Sequence, residues 1–546
     1  MLYNARAYNG MVTAPHRLAS EAGISILRKG GNAVQAAVAM AAALCVAYPH
    51  MTGLGGDAFW LILPAGTPAA DGPDRPPVFI DACGRSALAG SREWFEGKGC
   101  QTAPKRGPLS ALTMAGAVSG WHQALGVPVR GGNTALTISD LFADAVELAE
   151  EGVPVTDSQH VMTTAFLPEL RDIPGFARQF LSGGEAPPPG ARLRLPLLAR
   201  TFRQLAAEGL DDFYRGKLAR EMAEDLQAAG SPLSLDDFAA HSAGIRDALR
   251  LELRCGTVYN CPPPTQGVSS LMILGILERL AARPGVFLDQ DDVLVHAVVE
   301  ATKQAFMVRD AVLADPDRMD CDARTLLEDG RLDALASAVS MRRALPWPCR
   351  DGGSLPGGDT VWFGVLDAFG NTVSCIQSIY HEFGSGLVLP RSGITWHNRG
   401  LGFRFQPGHA NSLAPGRKPF HTLNPALALL RDGRTIAYGT MGGEGQPQTQ
   451  AAVFARHVLL GKTIQEAVSA PRWLLGRAWG DTSDTLKLEG RFAAGVTERL
   501  DTLGHETERL PAWSSLTGHA GMLVRHPDGL LEGASDPRSD GVAACW

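Results

Sequence analysis

Hydrophobic positions along the chain follow two patterns, one typical of helices and one typical of buried strands. Apolar residues recur at helical spacing in several long segments, while short apolar runs bounded by turn residues predict strands. The predicted helices span 18–27, 33–47, 136–151, 195–208, 234–241 (with Ser234 as its cap), 268–283 and 293–308. The predicted strands of the first half span 59–63 and 78–80. This mixture predicts an α/β protein.

The clearest strand pattern follows Thr360. Val361, Phe363 and Val365 alternate with other apolar residues, which predicts a strand buried on both faces. Residues 367–371 predict a turn and residues 372–379 the returning strand. This hairpin would bring Ser378 beside Thr360. The preceding residues, 344–358, are rich in Pro and Gly without an apolar period and predict a mobile segment.

The position of Thr360 suggests a specific chemistry. A threonine hydroxyl inside a chain is a poor nucleophile, but an N-terminal threonine can use its own α-amine as the base. Cleavage of the bond between Asp359 and Thr360 would create such a residue. The tripeptide Gly-Asp-Thr by itself favours an ordinary loop that precedes a strand, and only the residues that follow it change this interpretation.

Composition narrows the function classes. The net charge of −7, without a run of basic residues, argues against nucleic acid as a partner. The apolar segment 33–47 is shorter than the roughly 20 residues that a membrane span needs, so no membrane segment is predicted. No signal-peptide core is visible at the N-terminus, and the nine cysteines show neither a metal-ligand spacing nor a disulfide framework. A cytoplasmic protein with reduced thiols is therefore expected.

Motifs in both halves of the chain resemble those of the γ-glutamyltransferases, which are self-processing N-terminal-nucleophile (Ntn) hydrolases. The resemblance extends from about residue 8 to the end. The motifs of the first half are 30–34 with Ala36 and Ala37, Pro49 and His50 with 53–56, Gly107 with Pro108, 262–264, Arg309 and 315–317. Those of the second half are Asp359 with Thr360, 383–386, Lys418 with Pro419 and Pro425, and Gly442 with Gly443.

This resemblance implies a fold and a mechanism. It implies a four-layer αββα sandwich formed jointly by a large fragment, 1–359, and a small fragment, 360–546, as one intertwined unit. It implies self-cleavage between Asp359 and Thr360, and an acyl-enzyme on Thr360. Ser378 would hydrogen-bond the nucleophile, and the N–H groups of Gly442 and Gly443 would form the oxyanion hole. No cofactor or metal is implied, the two fragments would form a heterodimer, and further pairing of heterodimers stays open.

The expected substrate pocket departs from that of the family. The family's carboxylate-binding arginine lies two residues after an aspartate, but here Asp81 is followed by Ala82 and Cys83, and Arg85 comes two places late. The aspartate that binds the substrate amine falls at Gly402. A buried ammonium without a partner is unfavourable by several kcal/mol, so a γ-glutamyl group is expected to bind poorly.

Other substrate-contact positions also differ. The family's asparagine falls at Tyr380, its paired serines at His421 and Thr422, and a glutamate or glutamine at Arg399. Arg399 would add a planar positive group suited to a carboxylate. Taken singly, Arg399 equally fits a salt-bridged loop residue, and His421 a structural histidine.

The segments 80–84 and 396–400, the latter with Asn398 and Arg399, look closest to the oxamate amidohydrolase branch of the family. That branch splits oxamate into oxalate and ammonia in purine catabolism. The expected substrate-binding residues are Arg399, Asn398, Tyr380, His421, Thr422 and Arg85. Two alternatives stay open: a γ-glutamyltransferase or glutathione hydrolase that holds its substrate differently, and an unprocessed relative that only binds.

Overall fold

The computed structural model describes residues 4–66, 76–347, 360–477 and 483–546. The strands are Ala5–Ala7 (β1), Gly10–Ala14 (β2), Asp57–Leu63 (β3), Val78–Ala82 (β4), Val153–Pro154 (β5), Arg192–Leu193 (β6), Gly244–Asp247 (β7), Leu249–Leu253 (β8), Gly256–Asn260 (β9), Val361–Asp367 (β10), Thr372–Ser378 (β11), Ala426–Leu430 (β12), Thr435–Thr440 (β13), Trp473–Leu475 (β14), Leu486–Glu489 (β15), Thr507–Leu510 (β16), Ala520–Arg525 (β17), Leu531–Ser535 (β18) and Val542–Cys545 (β19).

Helices occur in both halves of the chain. They are Arg17–Arg28 (α1), Ala33–Ala47 (α2), Arg92–Gly97 (α3), Ala117–Leu125 (α4), Ile138–Glu151 (α5), Asp157–Leu170 (α6), Phe176–Phe180 (α7), Pro196–Glu208 (α8), Asp212–Arg215 (α9), Lys217–Ala229 (α10), Leu235–Ala240 (α11), Gly267–Ala281 (α12), Asp291–Val312 (α13), Asp329–Ser337 (α14), Gln446–Phe454 (α15), Ile464–Ser469 (α16) and Ala494–Thr502 (α17). None of the described helices is both long and apolar enough to span a bilayer.

Two seven-stranded antiparallel sheets form the centre of the molecule. The first has the order β19-β2-β10-β11-β3-β4-β7, and the second has the order β1-β18-β17-β13-β12-β9-β8. Each sheet combines strands from before and after residue 360. The two parts of the chain are therefore interleaved within each sheet rather than folded as separate units.

The apolar clusters show four layers. Phe59 and Trp362 of the first sheet pack against Leu427 and Leu523 of the second, so the sheets face each other. The outer face of the first sheet packs against α1, α2 and α4, and that of the second against α12, α15 and α16. The order helix, sheet, sheet, helix is the predicted αββα sandwich.

Strand β10 confirms the prediction that both of its faces are buried. Val361, Phe363 and Val365 face the helix layer, whereas Trp362 and Leu366 lie between the sheets. The predicted helix 33–47 matches α2, which begins where the Asn32 side chain accepts from the N–H groups of Val34 and Gln35.

Helices α6 and α10 are among those that were not predicted. Helix α6 contains Pro168, which normally indicates a helix break and obscures the pattern. Helix α10 buries Leu218, Met222 and Leu226 at intervals of four, a spacing that is typical of an amphipathic helix. The predicted mobile segment 344–358 lies mostly outside the described residues.

Candidate active site

Three neighbouring strands of the first sheet bring a threonine, a serine and an aspartate side by side. Val361 of β10 pairs with Gln377 of β11, and this register continues to Thr360 opposite Ser378. Ser378 in turn pairs with Asp57 at the start of β3. Thr360 is buried, with 1% of its surface exposed. The hairpin therefore places Ser378 beside Thr360, as the sequence predicted.

The backbone turns sharply after Ser378. The Tyr380 N–H donates to Ser378 Oγ at 2.7 Å. Tyr380 has a φ of 76°, in the left-handed region that non-glycine residues seldom adopt. Such strain persists only where the surrounding structure fixes it, and it clusters at functional sites. The strained turn directs the buried Tyr380 ring toward the guanidinium of Arg399.

Arg399 is a buried cation with incomplete hydrogen bonding. Its guanidinium carbon lies 3.4 Å from the centroid of the Tyr380 ring, and its Nη1 donates to Thr422 Oγ1 at 3.4 Å. Across the described ranges, Nε and Nη2 have no acceptor, and no carboxylate forms an ion pair with Arg399. A buried, partly unsatisfied guanidinium is unfavourable unless a ligand completes its bonds. The two N–H groups form a fork that fits a carboxylate.

Gly402 leaves the space that this guanidinium uses. A Cβ atom built at Gly402 would lie 2.9 Å from Arg399 Nη2 and 2.8 Å from the Phe420 carbonyl oxygen. Real Cβ atoms do not approach other atoms this closely, so a side chain at 402 and the present position of Arg399 exclude each other. The two departures from the expected pattern, at 399 and 402, are thus physically linked.

Asn398 and Arg85 have other partners. Asn398 Nδ2 donates to the Lys105 carbonyl at 3.0 Å, and its Oδ1 accepts from the His381 N–H at 3.1 Å. Arg85 is 46% exposed in its side chain and pairs with Asp315 and Asp317. Asn398 therefore holds the loop around the pocket, and Arg85 belongs to a surface ion-pair group, so we leave Arg85 out of the pocket.

Asp57 is the centre of a buried polar cluster. Its Oδ2 accepts from His421 Nε2 at 3.1 Å, and its Oδ1 accepts from the N–H groups of Gly84 and Gly116 at 3.0 and 3.2 Å. Burial raises the pKa of the Asp57 carboxyl, but His397 and His421 outweigh burial and bring it below its usual range. Burial lowers the pKa of His421 to about 4, against the opposing hydrogen bond to Asp57. His421 is therefore neutral at pH 7 and donates its Nε2 proton to a carboxylate.

Gly442 and Gly443 form the turn between β13 and α15. Their φ angles of 123° and 51° suit glycine, and Gly443 begins a short 3₁₀ turn that continues into α15. The first N–H groups of a helical segment have no acceptor inside it. Both glycines thus offer backbone donors that can stabilise a negative oxygen.

A buried glutamine ties this turn to the loop of Thr422. Gln266 Nε2 donates to the Gly443 carbonyl at 2.8 Å and to the Thr422 carbonyl at 2.9 Å. Arg309 Nη1 donates to Gln266 Oε1 at 3.0 Å and fixes the orientation of the amide. Arg309 also pairs with Glu444 at 3.2 Å. The glycine turn and Thr422, which contacts Arg399, therefore share one support.

The family model described as gamma-glutamyltranspeptidase matches residues 19–546. The chain belongs to the gamma-glutamyltranspeptidase family. It is thus an Ntn-type amidohydrolase, and the names of its relatives as proenzymes indicate that the family members mature by processing.

Two curated relatives align with 98% of this chain, and the alignment includes 98% of each relative's own length. One, from Klebsiella pneumoniae, is named oxamate amidohydrolase proenzyme and is 52% identical over 537 residues. The other, from Bacillus subtilis, is named glutathione hydrolase-like YwrD proenzyme and is 39% identical. The crystal structure of a cephalosporin acylase from Bacillus halodurans superposes with a TM-score of 0.88 at 30% identity, covering 100% of this chain and 97% of the acylase.

Three residues of this site were not predicted from the sequence: Asp57, His397 and Gln266. Asp57 carried a usable signal, because a carboxylate at the start of a wholly apolar strand needs a buried partner. Gln266 and His397 lie in Gly- and Pro-rich loops, where the sequence does not indicate which backbone groups will approach them.

Proposed function

We propose that this enzyme cleaves itself before Thr360 and then hydrolyses a small amide that bears a carboxylate next to the scissile group, with oxamate as the leading candidate. The observation that carries the proposal is the buried Arg399, whose Nε and Nη2 have no acceptor in the described part of the chain. A carboxylate of the substrate would complete both bonds.

Self-cleavage would begin with attack of Thr360 Oγ on the carbonyl carbon of Asp359. The acyl group shifts from nitrogen to oxygen, and water then hydrolyses the ester, which frees the Thr360 α-amine. Thr360 lies buried beside Ser378, whose hydroxyl can orient the nucleophile. Asp359 lies outside the described residues.

In the mature enzyme, Thr360 Oγ would attack the amide carbon of the substrate while its α-amine takes the hydroxyl proton. The oxygen that becomes negative would be stabilised by the N–H groups of Gly442 and Gly443, each worth about 3–4 kcal/mol of barrier. The proton then passes to the leaving nitrogen, and ammonia departs. Water hydrolyses the acyl ester on Thr360, which gives a dicarboxylate from an amide such as oxamate and restores the hydroxyl.

The charge of the pocket favours an acid amide that has no ammonium group. Tyr380 follows Ser378 by two residues and stacks on Arg399, so the carboxylate site lies close to the nucleophile in the chain. The position that would supply a carboxylate for a substrate ammonium is Gly402, and Arg399 excludes a side chain there. The relative named oxamate amidohydrolase proenzyme, 52% identical, supports the same substrate.

Ammonia release from oxamate by the matured protein tests the proposal, with γ-glutamyl-p-nitroanilide as the competing substrate. We expect turnover of oxamate and little or none of the anilide. Efficient turnover of the anilide without ammonia from oxamate would instead assign a γ-glutamyl hydrolase, as in the name of the Bacillus subtilis relative. Absence of a fragment that begins at Thr360 would contradict both.

A further inference from the structure

Four side chains of zinc-ligand type converge beside Ser378. Asp57, Cys83, His397 and His421 are each at most 2% exposed. A carboxylate oxygen of Asp57, Cys83 Sγ and an imidazole nitrogen of His421 all lie within 4.8 Å of one another. His397 Nδ1 lies 3.4 Å from Asp57 Oδ2. These residue types are the common protein ligands of Zn²⁺.

The spacing of these atoms suits tetrahedral coordination. Zinc bonds to nitrogen and carboxylate oxygen are about 2.0–2.1 Å long, so the ligand atoms of a tetrahedral site lie about 3.3 Å apart. The distances from Asp57 Oδ2 are 3.1 Å to His421 Nε2 and 3.4 Å to His397 Nδ1. Two of the six ligand-to-ligand separations of such a site, both from Asp57 Oδ2, are therefore already present.

Outer hydrogen bonds orient two of the ligands as metal sites require. His397 Nε2 faces the Thr113 carbonyl at 2.9 Å, which places a proton on Nε2. Its Nδ1, which faces the cluster, has no hydrogen bond among the described residues. Asp57 Oδ1 is held by the N–H groups of Gly84 and Gly116, which leaves Oδ2 as the ligand atom.

The two remaining ligands must lose a proton. Burial raises the pKa of the Cys83 thiol well above its usual value, so the thiol stays neutral unless a cation compensates the thiolate. His421 Nε2 now donates to Asp57, while Nδ1 accepts weakly from the Leu423 N–H at 3.4 Å. Metal binding would replace the Nε2 proton and move the imidazole proton to Nδ1.

We propose that Asp57, Cys83, His397 and His421 bind one Zn²⁺ ion. Asp57 and Cys83 precede Thr360 in the chain, whereas His397 and His421 follow it. The ion would therefore link the two fragments after processing, at the wall of the pocket that also contains Arg399. A thiolate and a carboxylate would balance the two charges of the ion, which suits a buried site.

A second cluster of similar composition serves as an internal control. His296, Glu300 and His505 also bring three ligand atoms within 4.8 Å. There, however, Lys303 Nζ lies 2.7 Å from Glu300 Oε1, and the two imidazoles are hydrogen-bonded to each other at 2.7 Å. An ammonium group already occupies the carboxylate, so we expect no metal at this cluster.

The experiment measures metal on the full-length matured protein. The protein is stripped with a chelator, loaded with excess ZnCl₂ and passed through gel filtration, and zinc is measured by mass spectrometry. We expect about one equivalent per chain, as for a closed structural site. Loading with CoCl₂ should give tetrahedral d–d absorption and a thiolate-to-cobalt charge-transfer band.

Variants assign the metal to the site. Cys83→Ser and His397→Gln should lose the zinc, and Cys83→Ser should lose the charge-transfer band. Cys45→Ser and His505→Gln should keep both. Cys45 Sγ bonds the Ala41 carbonyl at 3.2 Å and Gln377 Nε2 at 3.5 Å instead of the cluster, and His505 belongs to the second cluster. Less than about a tenth of an equivalent on the loaded wild-type protein, or equal metal in all variants, would overturn the proposal. The wild-type cobalt spectrum decides the question even where a variant fails to fold.

Discussion

The guanidinium of Arg399 stacks on the ring of Tyr380, with 3.4 Å between the guanidinium carbon and the ring centroid. Tyr380 is held in a left-handed conformation directly after Ser378, so the strained turn and the cation form one unit. Stacking covers the face of the guanidinium. The N–H groups of Nε and Nη2 lie in its plane and stay available to a ligand. This relationship connects the end of β11, at Ser378, to the proposed carboxylate site.

Replacing Arg399 tests the carboxylate site. Arg399→Ala should raise KM for oxamate by about 10- to 100-fold, since charge-assisted hydrogen bonds contribute about 1.5–3 kcal/mol. Steady-state kinetics with ammonia detection measures this change. Arg85→Ala is the matched control, because Arg85 pairs with Asp315 and Asp317 at the surface and should leave KM within about twofold. An unchanged KM in Arg399→Ala would remove that residue from the site.

Enlarging Gly402 tests the same site without removing the charge. Gly402→Ala would place a Cβ atom 2.9 Å from Arg399 Nη2 and displace the guanidinium. We expect KM for oxamate to rise by about tenfold, because overpacking of this kind costs about 1–3 kcal/mol. Gly495→Ala is the control, since its Cβ would meet no atom within 4 Å. Equal kinetics for the two variants would show that the guanidinium does not depend on this space.

Substitution of Thr360 separates processing from catalysis. Thr360→Ala should remain a single chain without activity, because neither the attacking hydroxyl nor the new amine can form. Thr360→Ser keeps the hydroxyl and should still be cleaved, more slowly. Intact-mass spectrometry gives the result: a fragment of 187 residues from the wild type and the serine variant, and none from the alanine variant. Cleavage of Thr360→Ala at the same bond would disprove self-processing.

Gln266 should act on the glycine turn rather than on substrate affinity. Gln266→Leu removes the bonds to the carbonyls of Gly443 and Thr422 and should lower kcat by about 10- to 100-fold, within the range for a displaced oxyanion donor. Gln448→Leu is the control: it also removes a buried amide, but one that bonds Leu475 instead of the turn. A rise in KM alone would assign Gln266 to the pocket wall and not to the turn.

Buried neutral histidines predict acid sensitivity. Six histidines have pKa values lowered to about 3 or 4, mainly by burial. They are His16, His50, His241, His421, His505 and His519. The unfolded chain binds protons at these groups near pH 6.5 and the folded protein does not. Their contribution to stability is complete above pH 6.5 and is lost as the pH falls toward 4.

The size of this effect is measurable. Each histidine should contribute on the order of 1–2 kcal/mol between pH 6.5 and 5. The melting temperature should therefore fall over this range, and His519→Gln should weaken its dependence on pH. His122→Gln, which changes an exposed side chain, should leave the dependence as in the wild type. A melting temperature that is constant from pH 7 to 5 would contradict the prediction.

The hairpin after Thr360 shows how far local patterns reach. Two apolar runs separated by a turn predicted β10 and β11, and their register follows from the short connection. The same reasoning could not find Asp57 next to Ser378, because β3 precedes β11 by about 300 residues and their pairing depends on the whole sheet. The cysteines likewise showed no metal spacing, since the zinc-type cluster collects residues from four separate segments.

The substrate-binding predictions divide in the same way. Arg399, Tyr380 and Thr422 were predicted by resemblance, and in the structure Arg399 contacts both of the others. Arg85 was predicted because it is near the expected arginine in sequence, but it pairs with surface acids instead. Proximity in sequence did not determine where its side chain would point.

The sequence by itself predicted an α/β protein from apolar periodicity, and the family, its αββα layers and the proposed nucleophile Thr360 from ordered motifs, because periodicity and motifs are local properties of the chain. Only the tertiary structure decided which charges meet. In the folded protein Arg399 stacks on Tyr380, no side chain fits at Gly402, and two histidines lie beside Asp57. These contacts depend on loop paths and strand order over hundreds of residues, where burial makes each unpaired polar group costly and so selects its partner.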